Sequence, residues 1–375
     1  MSSTTTQPPT EHLISLSDPP QCAVPAILGP ANQVACFSLC NEKLHVDSHA
    51  AMRYFVHPQP NVDISVGYNQ LNNKQRTFKR VRRLDHILEM CLKSKNSKEL
   101  LNVDVITWRG IVKKIMLGEK MDLNVSFHNG ILYIEEQGRR EMYCDPKGYM
   151  GYKFETCCSS SQPYGPPGGK VNLQDQWNAA VVRTLGSLKV LLVGEVDCVD
   201  PDYIKNPSPE NFVELKSKCV TPGEELHRHV DFMKWEIQSL LIGSSRIFAG
   251  FRDSAGIVRE VETLAVRQDL EIRQPKIDWG VRLLHALFGY CAPESTRNGV
   301  LKVWRVQLRK GLELDRTADI RELGVAEVKM LNQRDGLRNG ILPVFYINGL
   351  KEKLRKEGLD ALRLATRRRA VVHGG

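Results

Sequence analysis

Two short charged pairs, each set inside a run that reads as a β-strand, constrain this chain more than any other feature. The first run, Leu188 to Cys198, has Leu188, Val190, Leu192, Gly194, Val196 and Cys198 at its even positions, all apolar or small. Glu195 and Asp197 fall on the other face with Leu191 and Val193, because successive strand side chains alternate. The second run, Phe212 to Lys218, sets Glu214 and Lys216 against Val213 and Leu215. If the two strands are neighbours, three carboxylates and an ammonium meet on one small patch. Carboxylates that close repel, so some are protonated or a cation sits among them. A hard divalent ion with oxygen ligands suits them best.

The chain has 375 residues, enough for one large domain or two ordinary ones. No apolar run approaches the length that crosses a bilayer, and the first residues lack the pattern of a secretory signal. The ten cysteines form no regular framework. Without a secretory signal they read as intracellular thiols. Cys36 with Cys40, or Cys157 with Cys158, lacks the second pair and the histidines of a zinc finger. A net charge of +9 suggests an anionic partner, of which nucleic acid is the usual one. Basic residues concentrate between Lys74 and Arg83 and again at Arg367–Arg369. The first run suits a solvated helix start, a nucleic-acid patch or a nuclear address alike.

Residues 1–22 are rich in Ser, Thr and Pro and predict a disordered tail ahead of a single domain over 23–375. Helices are predicted at 82–94, 105–117, 174–184, 221–243 and 278–290, with a last one from 349. The fourth is marked by a capping box of Thr221 and Glu224, with Pro222 at the first helical position. Strands are predicted at 122–128 and 131–136 around the hairpin dipeptide Asn129-Gly130, and at 188–198, 212–218, 246–252, 257–264, 300–310 and 342–347. The Ser-, Pro- and Gly-rich stretch 157–169 predicts a mobile loop beside the site. Strands and helices mix without strict alternation, so the class is α+β, a mixed-sheet α/β arrangement.

An acidic residue, a loop, then Glu-x-Lys resembles the PD-(D/E)XK nuclease core, though Glu-x-Lys is common on solvated strands. Its company is more specific. Thr107-Trp108-Arg109-Gly110, Gly151-Tyr-Lys-Phe-Glu155, Gly194-Glu-Val-Asp-Cys198, Val213-Glu-Leu-Lys216 and Lys234-Trp-x-x-Gln238 follow one another in order. Together they resemble the motifs of the DXO family of RNA 5′-end decapping nucleases and pyrophosphohydrolases. Cys36–Leu39, Met52–Phe55 and Gly250–Asp253 extend the resemblance to about residues 34–350.

The resemblance implies two mixed β-sheets flanked by helices. It also implies Glu155, Glu195, Asp197 and Glu214, with the carbonyl of Leu215, as ligands of one or two Mg²⁺ or Mn²⁺ ions. Lys216 then belongs beside the attacking water, in a catalytic set with Glu195, Asp197 and Glu214. Arg109 and Gln238 contact the RNA 5′ end, with Trp108, Gly110 and Asn178 nearby, although Trp108 by itself reads more simply as a packing residue. Asn178 and Arg82 depart from the residues common in the family, which bears on substrate preference. The implied function is metal-dependent hydrolysis of RNA 5′ ends: pyrophosphate from triphosphorylated RNA, caps, or non-standard nucleotide caps, with 5′→3′ exonuclease action in some members. Nuclear residence, with the cytoplasm as a second compartment, and a nuclear 5′→3′ exoribonuclease partner come with it. The alternatives are a DNA endonuclease on the same core and a non-catalytic partner that stabilises another nuclease.

Overall fold

The computed structural model describes residues 11–14, 28–71, 76–80, 83–138, 140–220, 232–266, 274–293, 295–297, 299–309, 317–332 and 336–357. Its strands in chain order begin with β1 (Glu11–Ile14), β2 (Asn32–Cys40), β3 (Lys43–Val46), β4 (Tyr54–Phe55), β5 (Thr77–Arg80), β6 (Val105–Trp108), β7 (Met121–His128) and β8 (Ile131–Glu136). Next come β9 (Arg140–Tyr143), β10 (Ser159–Ser160), β11 (Gln176–Leu185), β12 (Leu188–Glu195), β13 (Cys198–Val199), β14 (Phe212–Cys219), β15 (Arg246–Arg252) and β16 (Val258–Ala265). The last are β17 (Thr296–Arg297), β18 (Val300–Leu301), β19 (Trp304–Leu308), β20 (Ala318–Glu322), β21 (Arg338–Asn339) and β22 (Leu342–Pro343). The helices are α1 (Asp85–Lys93), α2 (Ser97–Leu101), α3 (Arg109–Leu117), α4 (Pro146–Cys157), α5 (Phe232–Ile242), α6 (Gln274–Cys291), α7 (Val325–Asn332) and α8 (Val344–Glu357).

Two mixed sheets organise the chain, as expected. The larger runs β1-β20-β19-β7-β8-β6-β12-β11-β2-β3, and the smaller β10-β4-β13-β14-β15-β16. In the larger sheet β6 lies parallel to both β8 and β12, and in the smaller β14 lies parallel to β15. Strand β12 is buried on both faces, which is why it reads as a nearly continuous apolar run. Val190 and Leu192 enter one core with α3, α5 and α6, while Leu191 and Val193 enter the opposite core with α1 and α8.

Three predicted elements differ. The segment 105–117 is not one helix: its β-branched start forms β6, and the helix begins only at Arg109. The segment 174–184 is strand β11, not a helix; it lies between β12 and β2, and a strand buried on both faces lacks the alternation that identifies one. The segment 342–347 leaves its strand after Pro343, and Tyr346, Ile347, Leu350 and Leu354 form the buried stripe of α8.

Other differences are smaller. The predicted strand 300–310 is split into β18 and β19. The expected tail 1–22 lies outside the described residues except for Glu11–Ile14, which is no tail but pairs as β1 with β20. The capping box at Thr221–Glu224, Arg82 and Arg367–Arg369 also lie outside the described residues. Within 157–169, Cys157 closes α4 and Ser159–Ser160 pairs with Tyr54–Phe55, so the irregular stretch is shorter than expected.

Candidate active site

The acidic residues meet where the chain passes from one sheet to the other. Strand β12 ends at Glu195, and the next strand, β13, belongs to the smaller sheet. Glu195 and Asp197 are therefore not neighbours along one strand face. Strand β14 pairs with β13, Cys198 opposite Val213, and with β15, not with β12. The register carries Asp197 to the level of Glu214, and the Leu215 N–H donates to Asp197 Oδ2 at 2.8 Å.

Glycines allow two close approaches that position the other groups. A Cβ at Gly194 would lie 2.9 Å from Arg109 Nε, so the arginine stem crosses β12 where there is no side chain. A Cβ at Gly250 would lie 2.3 Å from the Phe154 ring, so α4 rests on the backbone of β15 and brings Glu155, the next residue, to the cluster. The parallel pairing of Trp108 with Val193 puts Arg109 at the carboxyl end of β6, beside the end of β12.

Glu214 is 3 % exposed and is the hub. Its Oε1 accepts from Lys216 Nζ and from Gln238 Nε2, and its Oε2 accepts from Arg109 Nη1 at 3.4 Å. Burial pushes the Glu214 carboxyl up, but Lys216 and Arg109 outweigh it and hold the group below the usual carboxylate range. Asp197 goes the other way. Burial and then the Glu214 charge push it up to about 7. Glu155 is raised well above its ordinary value by burial, then by Asp197 and Glu195. Burial lowers Lys216, yet Glu214 and Asp197 more than reverse that, so it stands as an ammonium. The cluster holds more acid than its cations neutralise.

Among the described residues no three carboxylate, imidazole or thiol side chains stand in metal-ligand geometry. The Lys216 ammonium lies among the expected metal donors. Its Nζ donates to Glu214 Oε1 and to the Leu215 carbonyl at 3.1 Å, and lies 3.6 Å from Asp197 Oδ2. Three of the expected metal donors thus already converge on one positive charge, and every donor is a hard oxygen. That set fits Mg²⁺ or Mn²⁺, with Glu155 and Glu195 bordering it.

The remaining predicted residues divide. Asn178 lies on β11 opposite Glu195, 3 % exposed, and its Nδ2 has no hydrogen-bond partner. Arg109 is 8 % exposed, and its Nε likewise has no partner. Both donors border the acidic cluster and are open to a further acceptor. Trp108 donates its indole N–H to the Arg83 carbonyl at 3.2 Å and packs against both cores, in keeping with the packing reading. Gly110 is the second residue of α3, and a Cβ there would meet nothing within 4 Å.

Over residues 30–333 the sequence matches the family described as RAI1 like PD-(D/E)XK nuclease. The chain belongs to that family. The human decapping and exoribonuclease protein is 30% identical over 278 residues, 66% of this chain and 70% of its own. The decapping nuclease RAI1 of Aspergillus fumigatus is 32% identical over 272 residues, 62% of this chain and 72% of its own. The fold matches Candida albicans Rai1, solved in complex with pU5 and Mn²⁺, with a TM-score of 0.71 and 17% identity over 92% of this chain and 99% of that one. It also matches S. pombe Rai1 in complex with 3′-FADP, at 0.66 and 23% over 84% and 100%. These RAI1-like relatives carry the names of decapping nucleases.

One residue of the site was absent from the sequence reading. Lys113 stands one turn beyond Arg109 on α3 and donates to Gln238 Oε1 at 3.2 Å. The i, i+4 spacing from Arg109 was the available signal.

Proposed function

We propose that this RAI1-like protein is a divalent-metal hydrolase of RNA 5′ ends, removing pyrophosphate or a cap by attack of water on phosphorus. The observation that carries this reading is the buried Glu214 hub with Asp197 and Lys216 at its side, joined to Arg109 and Asn178, whose buried donors lack partners. The Mn²⁺ and pU5 bound to Candida albicans Rai1 support a metal and a phosphorylated RNA as ligands.

Asp197, Glu214 and the Leu215 carbonyl would hold Mg²⁺ or Mn²⁺, with Glu155 and Glu195 bordering a second position. When bound, the ion supplies charge to offset the negative charge that grows on the phosphoryl oxygens and lowers the pKa of water. The chain's own groups do the rest. Arg109 presents a planar fork to a phosphate, and its unpaired Nε adds a further donor. Asn178 Nδ2 donates to the terminal nucleotide. Lys216, held as an ammonium, orients the water and stabilises charge rather than acting as a base. Burial and then the Asp197 and Glu195 charges push the Glu155 carboxyl up, so it would accept the water proton only after a bound ion has displaced its own. As the water oxygen bonds to phosphorus, the bond to the leaving phosphate oxygen breaks. None of the nine described cysteines, all free thiols, is needed as a nucleophile.

Nuclear residence and docking on a nuclear 5′→3′ exoribonuclease belong to the same reading, supported by the basic runs and by the RAI1-like family; co-purification with the exoribonuclease tests them. The activity is tested by incubating the protein with 5′-triphosphate RNA, capped RNA and duplex DNA in Mn²⁺, Mg²⁺ or EDTA. A defined 5′ product from RNA, lost in EDTA and in Asp197→Asn, is expected. Internal nicks in DNA with intact RNA 5′ ends would sink the proposal.

A further inference from the structure

Three cations face the hub, and they are not equivalent. Lys216 is neutralised by Glu214 and Asp197, and Arg109 reaches Glu214. Lys113, half-buried on the same side of α3 as Arg109, lies within ion-pair distance of no carboxylate among the described residues. Its hydrogen-bond partner is the neutral amide of Gln238, at 3.2 Å. Burial lowers its pKa to about 8, with the Arg109 and Lys216 charges adding to the effect and the Glu119 and Glu214 carboxylates opposing it. A cation held in part from water, beside two others and with no carboxylate in direct contact, opposes folding. The cost is offset when an anion arrives. The orphaned donors Arg109 Nε and Asn178 Nδ2 point to the same need for oxygen acceptors.

We propose that Lys113 is a substrate-binding residue, its ammonium taking a non-bridging oxygen of the RNA 5′-terminal phosphate chain next to the oxygens that Arg109 takes. Gln238 Oε1 holds the ammonium until the RNA enters, while Gln238 Nε2 stays on Glu214. Two cations one helical turn apart then read phosphates, not bases. The protein should prefer 5′ ends with more than one phosphate over a bare 5′-hydroxyl. This inference rests on the 5′-end hydrolase reading and adds the residue that senses terminal charge.

The test is fluorescence anisotropy with a 3′-labelled 5′-triphosphate RNA pentamer and its 5′-hydroxyl counterpart, in EDTA and again in Ca²⁺, across a salt titration. Lys113→Met is expected to bind the triphosphate RNA about 10-fold more weakly and to flatten the plot of log affinity against log salt by about 0.7, the slope of one single-strand phosphate contact. Binding of the 5′-hydroxyl RNA should not change, and Lys113→Arg should restore both affinity and slope. The melting temperature of Lys113→Met, or of Lys113→Gln if the first variant is poorly soluble, should equal or exceed that of the wild type. An unchanged affinity and slope, an equal loss for both RNAs, or a large drop in melting temperature in both neutral variants would overturn the role of Lys113. If the wild type still released a defined 5′ product, the hydrolase reading would survive. A wild type that neither binds nor cleaves 5′-phosphorylated RNA would remove both.

Discussion

Two arginines of this molecule are buried to nearly the same degree, Arg183 at 6 % and Arg109 at 8 % exposure, and their surroundings differ completely. Arg183 on β11 spends its guanidinium on backbone carbonyls. Nε and Nη2 donate to Gly29 O at 3.1 and 2.7 Å, and Nη1 donates to Leu240 O at the end of α5. It ties a strand, the chain entering the sheet and a helix end together. Burial lowers its pKa to about 10, which still leaves it charged at neutral pH. Arg109 has one long contact, at 3.4 Å, and a buried Nε with no partner. Burial alone does not separate a structural cation from a functional one. The two differ in hydrogen bonding and place: Nε, Nη1 and Nη2 of Arg183 are all taken by carbonyls, whereas Arg109 keeps a buried donor beside the acidic cluster.

The comparison breaks most visibly at the carboxylates that Arg109 serves. Asp197→Asn keeps an acceptor for the Leu215 N–H but removes a charge from a repulsive cluster. Turnover should fall by about 10³-fold or more while the melting temperature holds or rises. Equal losses of stability and activity, read by calorimetry and by 5′-product release, would make the cluster structural.

The arginines themselves come next. Arg109→Met should lower kcat/KM by roughly 10²-fold, as loss of a transition-state contact does, with little change in unfolding free energy. Arg183→Met strands the Gly29 carbonyl, leaves the Leu240 carbonyl to the Gly243 N–H alone, and should cost about 2 kcal/mol in denaturant unfolding, with activity per folded molecule retained. Reversed outcomes would defeat the distinction.

A pH titration of Mn²⁺ affinity sharpens it further. Asp197 is pushed up to about 7, so the ion must displace its proton, and affinity should fall about 10-fold per pH unit below 7 for that one proton. Metal-free stability should have the opposite sign. A carboxyl raised in the fold contributes stability that is full below its unfolded value and is lost as pH rises through about 7. Isothermal calorimetry in two buffers of different ionisation enthalpy measures the proton release.

The smallest effect is at Gly194. In Gly194→Ala the new methyl would meet Arg109 Nε at 2.9 Å and its Cβ at 3.1 Å. Overpacking of this kind costs about 1–3 kcal/mol, and the displaced guanidinium should lower kcat/KM about 10-fold while Mn²⁺ affinity stays as it was. A loss of metal affinity instead would mean that Gly194 serves the carboxylates rather than Arg109.

Much of the site was legible along the chain. Glu-x-Lys lies on one strand and Arg109 opens a helix beside it, because short motifs carry their own spacing, but the acidic pair is split, Glu195 ending β12 and Asp197 lying in the crossing. The long-range partners were not legible. Lys113 and the Gly250–Phe154 contact depend on which helix rests on which strand. Strand β11 was misread because Ala179, Ala180, Val181 and Val182 are buried whichever way they face, and a uniformly apolar run has no period.

From the residue order alone came the mixed-sheet class, the apolar character of β12, the acidic donors and the lysine that stands among them. The meeting of those donors was decided by tertiary structure. Glu195 ends one sheet, Asp197 lies in the crossing, and Glu214 belongs to the other sheet, so their convergence is a property of how two sheets pack. Local spacing sets which side chain follows which on a strand. Only the packed fold sets which charges share a volume, and it is that shared volume that raises Asp197, lowers Glu214 and leaves Arg109 with a donor unused.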